Sequence, residues 1–488
     1  MQKLTPTRPA SAFVELFLRV VTSRTRLAMV LVLFFATAAG SPAHADVGVL
    51  LNESLDTSFA RISGSGHSAV YFSRVCADTP VKLRLCRPEE QGSVISNYTT
   101  LGEDNPFEWN IVPLSIFLYG VEDPQNRPLF GSQKIKHVLE ERYREQYLLP
   151  YCQSSACQTS NGAEWREMVG ATLERSIYMF VVETSLEQDQ AFIEKFNSLP
   201  NRNHFNGITR NCAEFSRRIL NTYYPHAAKA DYLNDLGLIT PKAIARSFTH
   251  YAEHHPEAHL RVFHFAQLPG TIKRSSECRN VTEQLYRSKK VLVPMILFAD
   301  HELAIATASY LLTGRFNPEH EFEHHPAVEA SGTQQENAQP AGSSQEWREY
   351  RVAFGTLVGE AVAREIVPNR NFLDRLFKYL DHAATPSIDE NGALWLDLSQ
   401  GGKPVKLGLS ESNILASGTD SQWAYALILA RANHYLKSPK HSREIMPDFK
   451  DDWALLQSAR VNSSSFISSE NLPAGSARVA AASFNPNP

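Results

Sequence analysis

Cys212 and His67 are the residues whose types and settings best suit nucleophilic catalysis. The chain has six cysteines. Cys76 and Cys86 flank a short hairpin-like segment, and Cys152 and Cys157 close a small loop, CQSSAC. Those two local pairs leave Cys212 and Cys278, although a Cys212–Cys278 bridge is an alternative that the sequence leaves open. Cys278 lies in the polar stretch RSSECRN, whereas Cys212 opens the helical stretch NCAEFSRRILNTYY (211–224), closed by Pro225. A thiol at a helix start meets the positive end of the helix dipole and unpaired backbone N–H groups, and both favour the thiolate. His67 follows Gly64-Ser65-Gly66 and leads into SAVYFSRV, a short apolar run that reads as a buried strand. A histidine entering a strand from a glycine turn has its ring at a sheet edge with room beside it. By itself it reads as a turn residue. Paired with Cys212 it is the base that a cysteine nucleophile needs within hydrogen-bond reach.

The flanking elements must hold that pair together. Helical spacing puts Phe215, Ser216, Ile219 and Tyr223 on the face of Cys212, so the apolar members would bury that face and fix the thiol at the helix tip. Asn211 reads either as the helix N-cap or as an amide donor to substrate. The Cys212 N–H could help hold an oxyanion, and the chemistry would be acyl transfer through a thioester.

Other clusters read more simply. His250, His254, His255 and His259 form one histidine group, and His320, His324 and His325 a second. Either has zinc-ligand types, but no further ligand block has typical spacing, and the HELAI at 301 lacks the second histidine of a zincin motif. Both groups read as solvated surface, and no metal or cofactor is expected. Glu140, Glu141 and Glu145 with Arg142 and Arg144 read as a solvated helix face. No phosphate-binding glycine loop is present.

The N-terminus has the three parts of an export signal. Arg24 and Arg26 precede the apolar run Leu27 to Gly40, Ser41-Pro42 breaks it, and Ala43-His44-Ala45 is a small-x-small cleavage site. The run is shorter than the roughly 20 residues a membrane span requires, so residues 1–45 read as a signal peptide and the destination as periplasmic or secreted. Membrane association is expected only through an uncleaved N-terminus. Five basic residues against Glu15 give that segment a net +4, so the rest of a chain whose total is −4 carries −8. An acidic chain of this kind is a poor candidate for nucleic-acid binding. A second apolar stretch, Val291 to Leu312, has spanning length but carries Asp300, His301 and Glu302 at its centre and Pro294 near its start. A short strand followed by a buried helix is the better reading, because a central charge costs about 2.5–3.5 kcal/mol on insertion.

The 488 residues and 43% hydrophobic content allow a sizeable core and more than one domain. Strand-like segments at 68–75, 92–100 and 176–185 alternate with helical ones at 134–149, 164–175, 186–199 and 211–224. The expected organisation is a core over 46–318 with helical additions, a polar linker over 319–346 and a disordered tail over 458–488. Between linker and tail, a smaller unit over 347–457 holds two helical stretches (352–365 and 421–437) around strand-like ALWLDL and KPVKLGL.

GSGHSAVYFSRV followed much later by NHFNGITRNCAEFSRRIL resembles circularly permuted papain-like proteins, in which a strand-borne histidine precedes a helix-borne cysteine. Asn211-Cys212-Ala213-Glu214-Phe215 is similar to the Asn-Cys-x-x-Phe block of the lecithin–retinol acyltransferase relatives. Gly66-His67 before an apolar strand is similar to the histidine motif of the Lnb-type N-terminal periplasmic domain family. The resemblance covers about 30 residues within a core from roughly 50 to 250. It implies an α+β fold, a permuted papain-like core with an antiparallel sheet packed on helices, with Cys212 as nucleophile and His67 as base. It also implies a third polar residue steadying the histidine, for which Asn97 is the choice. The implied activity is that of a cysteine hydrolase or acyltransferase acting on an amide or peptide bond of the cell envelope. A lipid acyl hydrolase and a non-catalytic envelope binding domain are the alternatives.

Overall fold

A computed structural model describes residues 45–55, 66–97, 107–151, 164–202, 210–287, 289–325, 370–400, 403–410, 421–436 and 452–456, together with short pieces at 327, 348–349, 351–356 and 413. From Asp46 onward these form one compact unit. Its frame is a six-stranded antiparallel sheet in the order β6-β5-β2-β1-β7-β8. The strands are β1 (Ala45–Asn52), β2 (His67–Phe72), β5 (Ser93–Ser96), β6 (Asn110–Pro113), β7 (Ile177–Thr184) and β8 (Arg261–Phe265). The hairpin of β3 (Val75–Thr79) and β4 (Lys82–Leu85) stands apart as a two-stranded ribbon and carries the Cys76–Cys86 disulfide. Cys152 and Cys157 lie outside the described residues.

The central strands read as near-continuous apolar runs because both sheet faces are covered. Alternate residues divide between two cores, as the strand period of two requires. Val47, Val49, Leu51, Val70 and Phe72 face one core; Leu50, Ala69, Tyr71, Val94 and Val112 face the other. On the first side pack α3 (Leu186–Ser198), α4 (Cys212–Tyr223) and α5 (Pro241–Glu253), through residues such as Phe192, Phe215, Ile219 and Phe248. On the second lie α1 (Leu114–Tyr119), α2 (Gln133–Tyr143) and the short 3₁₀ turns at Glu164–Met168 and Ala171–Leu173. That last stretch was expected as one helix over 164–175. Gly170, at φ +65°, breaks it into two tight turns.

The C-terminal strands β9 (Thr385–Ile388), β10 (Leu394–Gln400) and β11 (Lys403–Gly408) form a separate three-stranded sheet in the order β11-β10-β9. Helix α10 (Arg370–Ala383) and helix α11 (Ser421–Leu436) accompany it. Leu376, Leu394 and Leu427 share the second core with Phe130 and Leu139. The Leu129 N–H donates to the Leu409 carbonyl at 2.9 Å, and the Phe130 and Phe377 rings meet at 5.1 Å, tilted by 36°. The small unit read at 347–457 thus shares an apolar core with the sheet.

Before it come α6 (Val281–Arg287), α7 (Lys289–Phe298), α8 (Asp300–Ser309) and α9 (Pro318–His324). The stretch read as a strand and a buried helix is instead the two helices α7 and α8, and their apolar residues Val293, Ile296, Leu297 and Ile305 are exposed. The branched run VLVP reads as β, and Pro294 reads as a breaker. Here Pro294 lies inside the helix. Among the described residues no helix is long and apolar enough to cross a membrane.

Candidate functional site

Both residues singled out for catalysis stand at the first position of their element: His67 begins β2 and Cys212 begins α4. Gly66 makes the entry to β2 possible. Its φ is +71°, and a Cβ there would stand 2.3 Å from the Asn52 carbonyl oxygen and 2.4 Å from Cys278 Sγ. Asn52 is the cross-strand partner of His67 in β1, so the glycine lets the chain press against β1 just where the histidine enters.

Helix α4 is fixed by its cap and its buried face. The Glu214 N–H donates to Asn211 Oδ1 at 3.0 Å, and Asn211 Nδ2 donates to the Ile239 carbonyl at 2.8 Å. Of its two readings, Asn211 therefore takes the capping one, and its amide ties α4 to the segment leading into α5. Phe215, Ser216, Ile219 and Tyr223 are buried against the sheet as their spacing predicted. Ser216 Oγ donates to Ser68 Oγ at 3.1 Å. The Cys212 thiol, one turn earlier, meets the same residue: the Ser68 N–H and hydroxyl and the Ala213 N–H all favour its thiolate. Cys212 is therefore brought onto β2 at Ser68, whose side chain has the parity of Val70 and Phe72 and faces α4, whereas His67, one residue earlier, has the parity of Ala69 and Tyr71 and faces the other core.

The imidazole is buried, and its Nε2 lies 2.7 Å from Ser96 Oγ, at the end of β5. Asn97, the expected third residue, is also buried, but its Nδ2 donates to the Glu108 carbonyl at 2.5 Å and its Oδ1 has no partner among the described residues. The reason is strand parity. Ser96 shares its sheet face with Val94 and Ala69, and so with His67, while Asn97 belongs to the opposite parity.

Burial dominates the electrostatics. It drives the His67 pKa well below the ordinary imidazole value, and the Arg175 guanidinium lowers it further. Burial also raises the Cys212 thiol, more than the Ser68 and Ala213 donors lower it, and Glu167 adds to the rise. The expected helix-start thiolate is thus a neutral thiol at rest: desolvation exceeds the help of the helix terminus. Arg175 and Glu167 form an ion pair, so one bridge bears on both groups, its cation on the histidine and its anion on the cysteine. Sequence reasoning missed Ser68, Ser96, Arg175 and Glu167. Serines carry no motif signal, and a charged pair in a short turn reads as surface.

Cys278 is free, as Cys212 is, so the two do not bridge. Cys278 is buried, its Sγ donates to the Asn52 carbonyl at 3.0 Å, and burial pushes its thiol far up. It lines a cleft of about 220 Å³ with Glu53, Tyr178, Lys242 and Glu283, in which Lys242 Nζ lies 2.8 Å from Glu283. His67 and Cys212 do not line that cleft. Residues 56–65, 98–106 and 203–209, which adjoin the site in sequence, lie outside the described residues.

Compared with known proteins, the chain finds no matching family model, no matching curated protein and no matching solved structure.

Proposed function

We propose that this chain is an exported cysteine hydrolase or acyltransferase with a permuted papain-like core, acting through a thioester on an amide or peptide bond of the cell envelope. The observation that carries the reading is the Cys212 thiol held at a helix start against Ser68, one residue along β2 from a buried histidine that already has a hydroxyl on one ring nitrogen. The order of a strand-borne histidine before a helix-borne cysteine, and an antiparallel sheet between helices, support the same reading.

The chemistry follows from two neutral groups. With Nε2–H donating to Ser96 Oγ, Nδ1 of His67 is the nitrogen that would accept the thiol proton, which requires the imidazole to reach past the start of β2 to the Cys212 side of the sheet. Sulfur attacks the acyl carbon as that proton moves. The oxyanion that forms is met by N–H groups of the α4 first turn, which have no partner within the helix. The imidazolium returns its proton to the departing amine, leaving a thioester that water or another acceptor then cleaves. In this scheme Ser96 is a positioning residue, fixing the tautomer. The test is turnover of envelope-derived amide or ester material by wild type and by Cys212→Ser.

Ser96→Ala should lower kcat by about tenfold with little change in KM, less than the full 10²–10⁴-fold that general-base help is worth. Losing an acceptor for Nε2–H also disfavours the imidazolium, so the acid limb of the kcat profile should move to lower pH. Asn97→Ala should leave that profile in place and reduce stability instead, through the lost bond to Glu108. An acid limb that moves for Asn97→Ala and stays for Ser96→Ala would refute the assignment.

The second reading, a binding domain that retains the fold, is favoured by the same burial, since neither group is ionised at rest. Thiol labelling separates the two. Alkylation of Cys212 by iodoacetamide should be slow at neutral pH and rise through a midpoint above the ordinary thiol value of about 8.5, while Cys278 should react only on unfolding. An acyl probe shaped like a substrate should label Cys212 well below that midpoint if His67 acts as base. Acyl labelling that simply follows the alkylation profile would support the binding domain.

A further inference from the structure

The two histidine groups that read separately as surface meet in the fold. One begins on α5 with His250 and continues past its C-cap His254, and the other stands on α9 and its C-cap. Between them, Glu253 from the end of α5 faces Glu321 and His325, with the ligand atoms of all three within 4.8 Å of one another. His325 Nε2 lies 3.8 Å from Glu253 Oε1, and the other Glu253 oxygen lies 3.7 Å from His250 Nδ1.

We infer that Glu253, Glu321 and His325 form a binding site for a divalent transition-metal ion, with zinc as the ion this donor set suits best.

Three arguments carry it. The first is geometric. Around a tetrahedral zinc with bonds of about 2.0–2.2 Å, ligand atoms stand about 3.3–3.6 Å apart, so small side-chain rotations would close the set. The second is chemical. One imidazole and two carboxylates form a mixed N/O donor set of the kind zinc accepts, and three protein ligands leave a fourth position for water. The third is electrostatic. Two carboxyls share this place, and among the described residues neither forms an ion pair with lysine or arginine. A dication placed between them would offset the repulsion of the two carboxylates.

The framework is ready for it. His325 is anchored by its backbone: the Val262 N–H of β8 donates to its carbonyl at 2.7 Å, and its own N–H donates to the Glu321 carbonyl at 2.9 Å. Spacing of i,i+4 sets Glu321 and His325 toward one side, as in helical metal sites built from paired Glu and His residues. The ion would clip α9 to the end of α5. It lies outside the Cys212 and His67 chemistry and does not depend on it.

The test is zinc titration of the full chain by calorimetry, after removal of metal with a chelator. Wild type should bind one zinc at this site and melt at a higher temperature with zinc than with chelator. Glu321→Gln, which keeps the side-chain size, and His325→Ala should each weaken the binding by about tenfold or more, as loss of a ligand does. His320→Ala, on the same helix but outside the set, should bind within about twofold of wild type. Cobalt should give a visible absorption band in wild type that Glu321→Gln lacks. Circular dichroism of each variant in chelator checks the fold. Absence of zinc binding, equal binding by Glu321→Gln and wild type, or an equal loss in His320→Ala would overturn the site.

Discussion

Cys212→Ser should lose turnover entirely within detection while keeping the fold. The hydroxyl is similar in size and can accept from the Ser68 N–H as the sulfur does, so no cavity opens at the tip of α4. Its oxygen, however, is a far poorer nucleophile with a much higher pKa, and the buried His67, held below the ordinary imidazole range, is a weak base. Wild type partly overcomes this because a thiol gives up its proton more readily. His67→Asn should lose turnover as well, since the proton then has no acceptor. Removal of members that act as a unit is not additive, so the double variant should be no worse than either single one. The measurements are turnover, labelling by an acyl probe, and circular dichroism as the folding control. Equal turnover in wild type and Cys212→Ser would place any activity elsewhere. A Cys212→Ser variant that is inactive because it is unfolded would decide nothing about mechanism, which is why Cys278→Ser is a useful companion. It alters a buried thiol outside the reaction and should retain turnover at a somewhat lower stability.

The parts of the site legible in the sequence are those written in local pattern. Asn211 before an amphipathic run marks a helix start, and Phe215, Ser216, Ile219 and Tyr223 fall on one face by spacing alone. A glycine followed by an apolar run marks the entry to β2. The parts that were not legible depend on parity and on distant chain. Choosing Asn97 over Ser96 misses by one residue, and in a strand one residue exchanges the two faces of the sheet. The state of the thiol needed the burial around it, which the helix-start pattern does not contain. The exposed α7–α8 pair was misread because β-branched residues and a proline outweigh helical periodicity over so short a run. Packing of the C-terminal strands and helices onto the second core rests on contacts such as Leu129 with Leu409, hundreds of residues apart. Likewise, the meeting of Glu253 with Glu321 and His325 joins two groups that look like ordinary surface when each is taken alone.

Gly66→Ala should be among the most damaging single substitutions in the chain. At φ +71° an L-residue pays roughly 1–2 kcal/mol for the left-handed conformation alone. The added Cβ would also sit 2.3 Å from the Asn52 carbonyl oxygen and 2.4 Å from Cys278 Sγ, closer than such atoms approach. Neither neighbour yields easily: the oxygen belongs to the backbone of a central strand, and the sulfur is buried and donates to that same oxygen. The expected loss therefore exceeds about 2 kcal/mol, the range of strain at a special backbone position with no room to relax. Denaturant unfolding would measure it. Gly355→Ala is the contrast, because nothing lies within 4 Å of a Cβ there and the residue is helical, so it should be neutral or gain about 0.5–1 kcal/mol. Adding Cys278→Ala to Gly66→Ala removes the sulfur but leaves the carbonyl, so it should restore only part of the loss. Because His67 follows directly and pairs across to Asn52, the same substitution should also displace the imidazole from Ser96 and suppress acyl labelling of Cys212 under conditions where the protein is still folded. Stability within about 0.5 kcal/mol of wild type, the usual scatter of harmless surface changes, would mean that β2 can enter the sheet without the glycine and that the close approach to β1 is not what places the histidine.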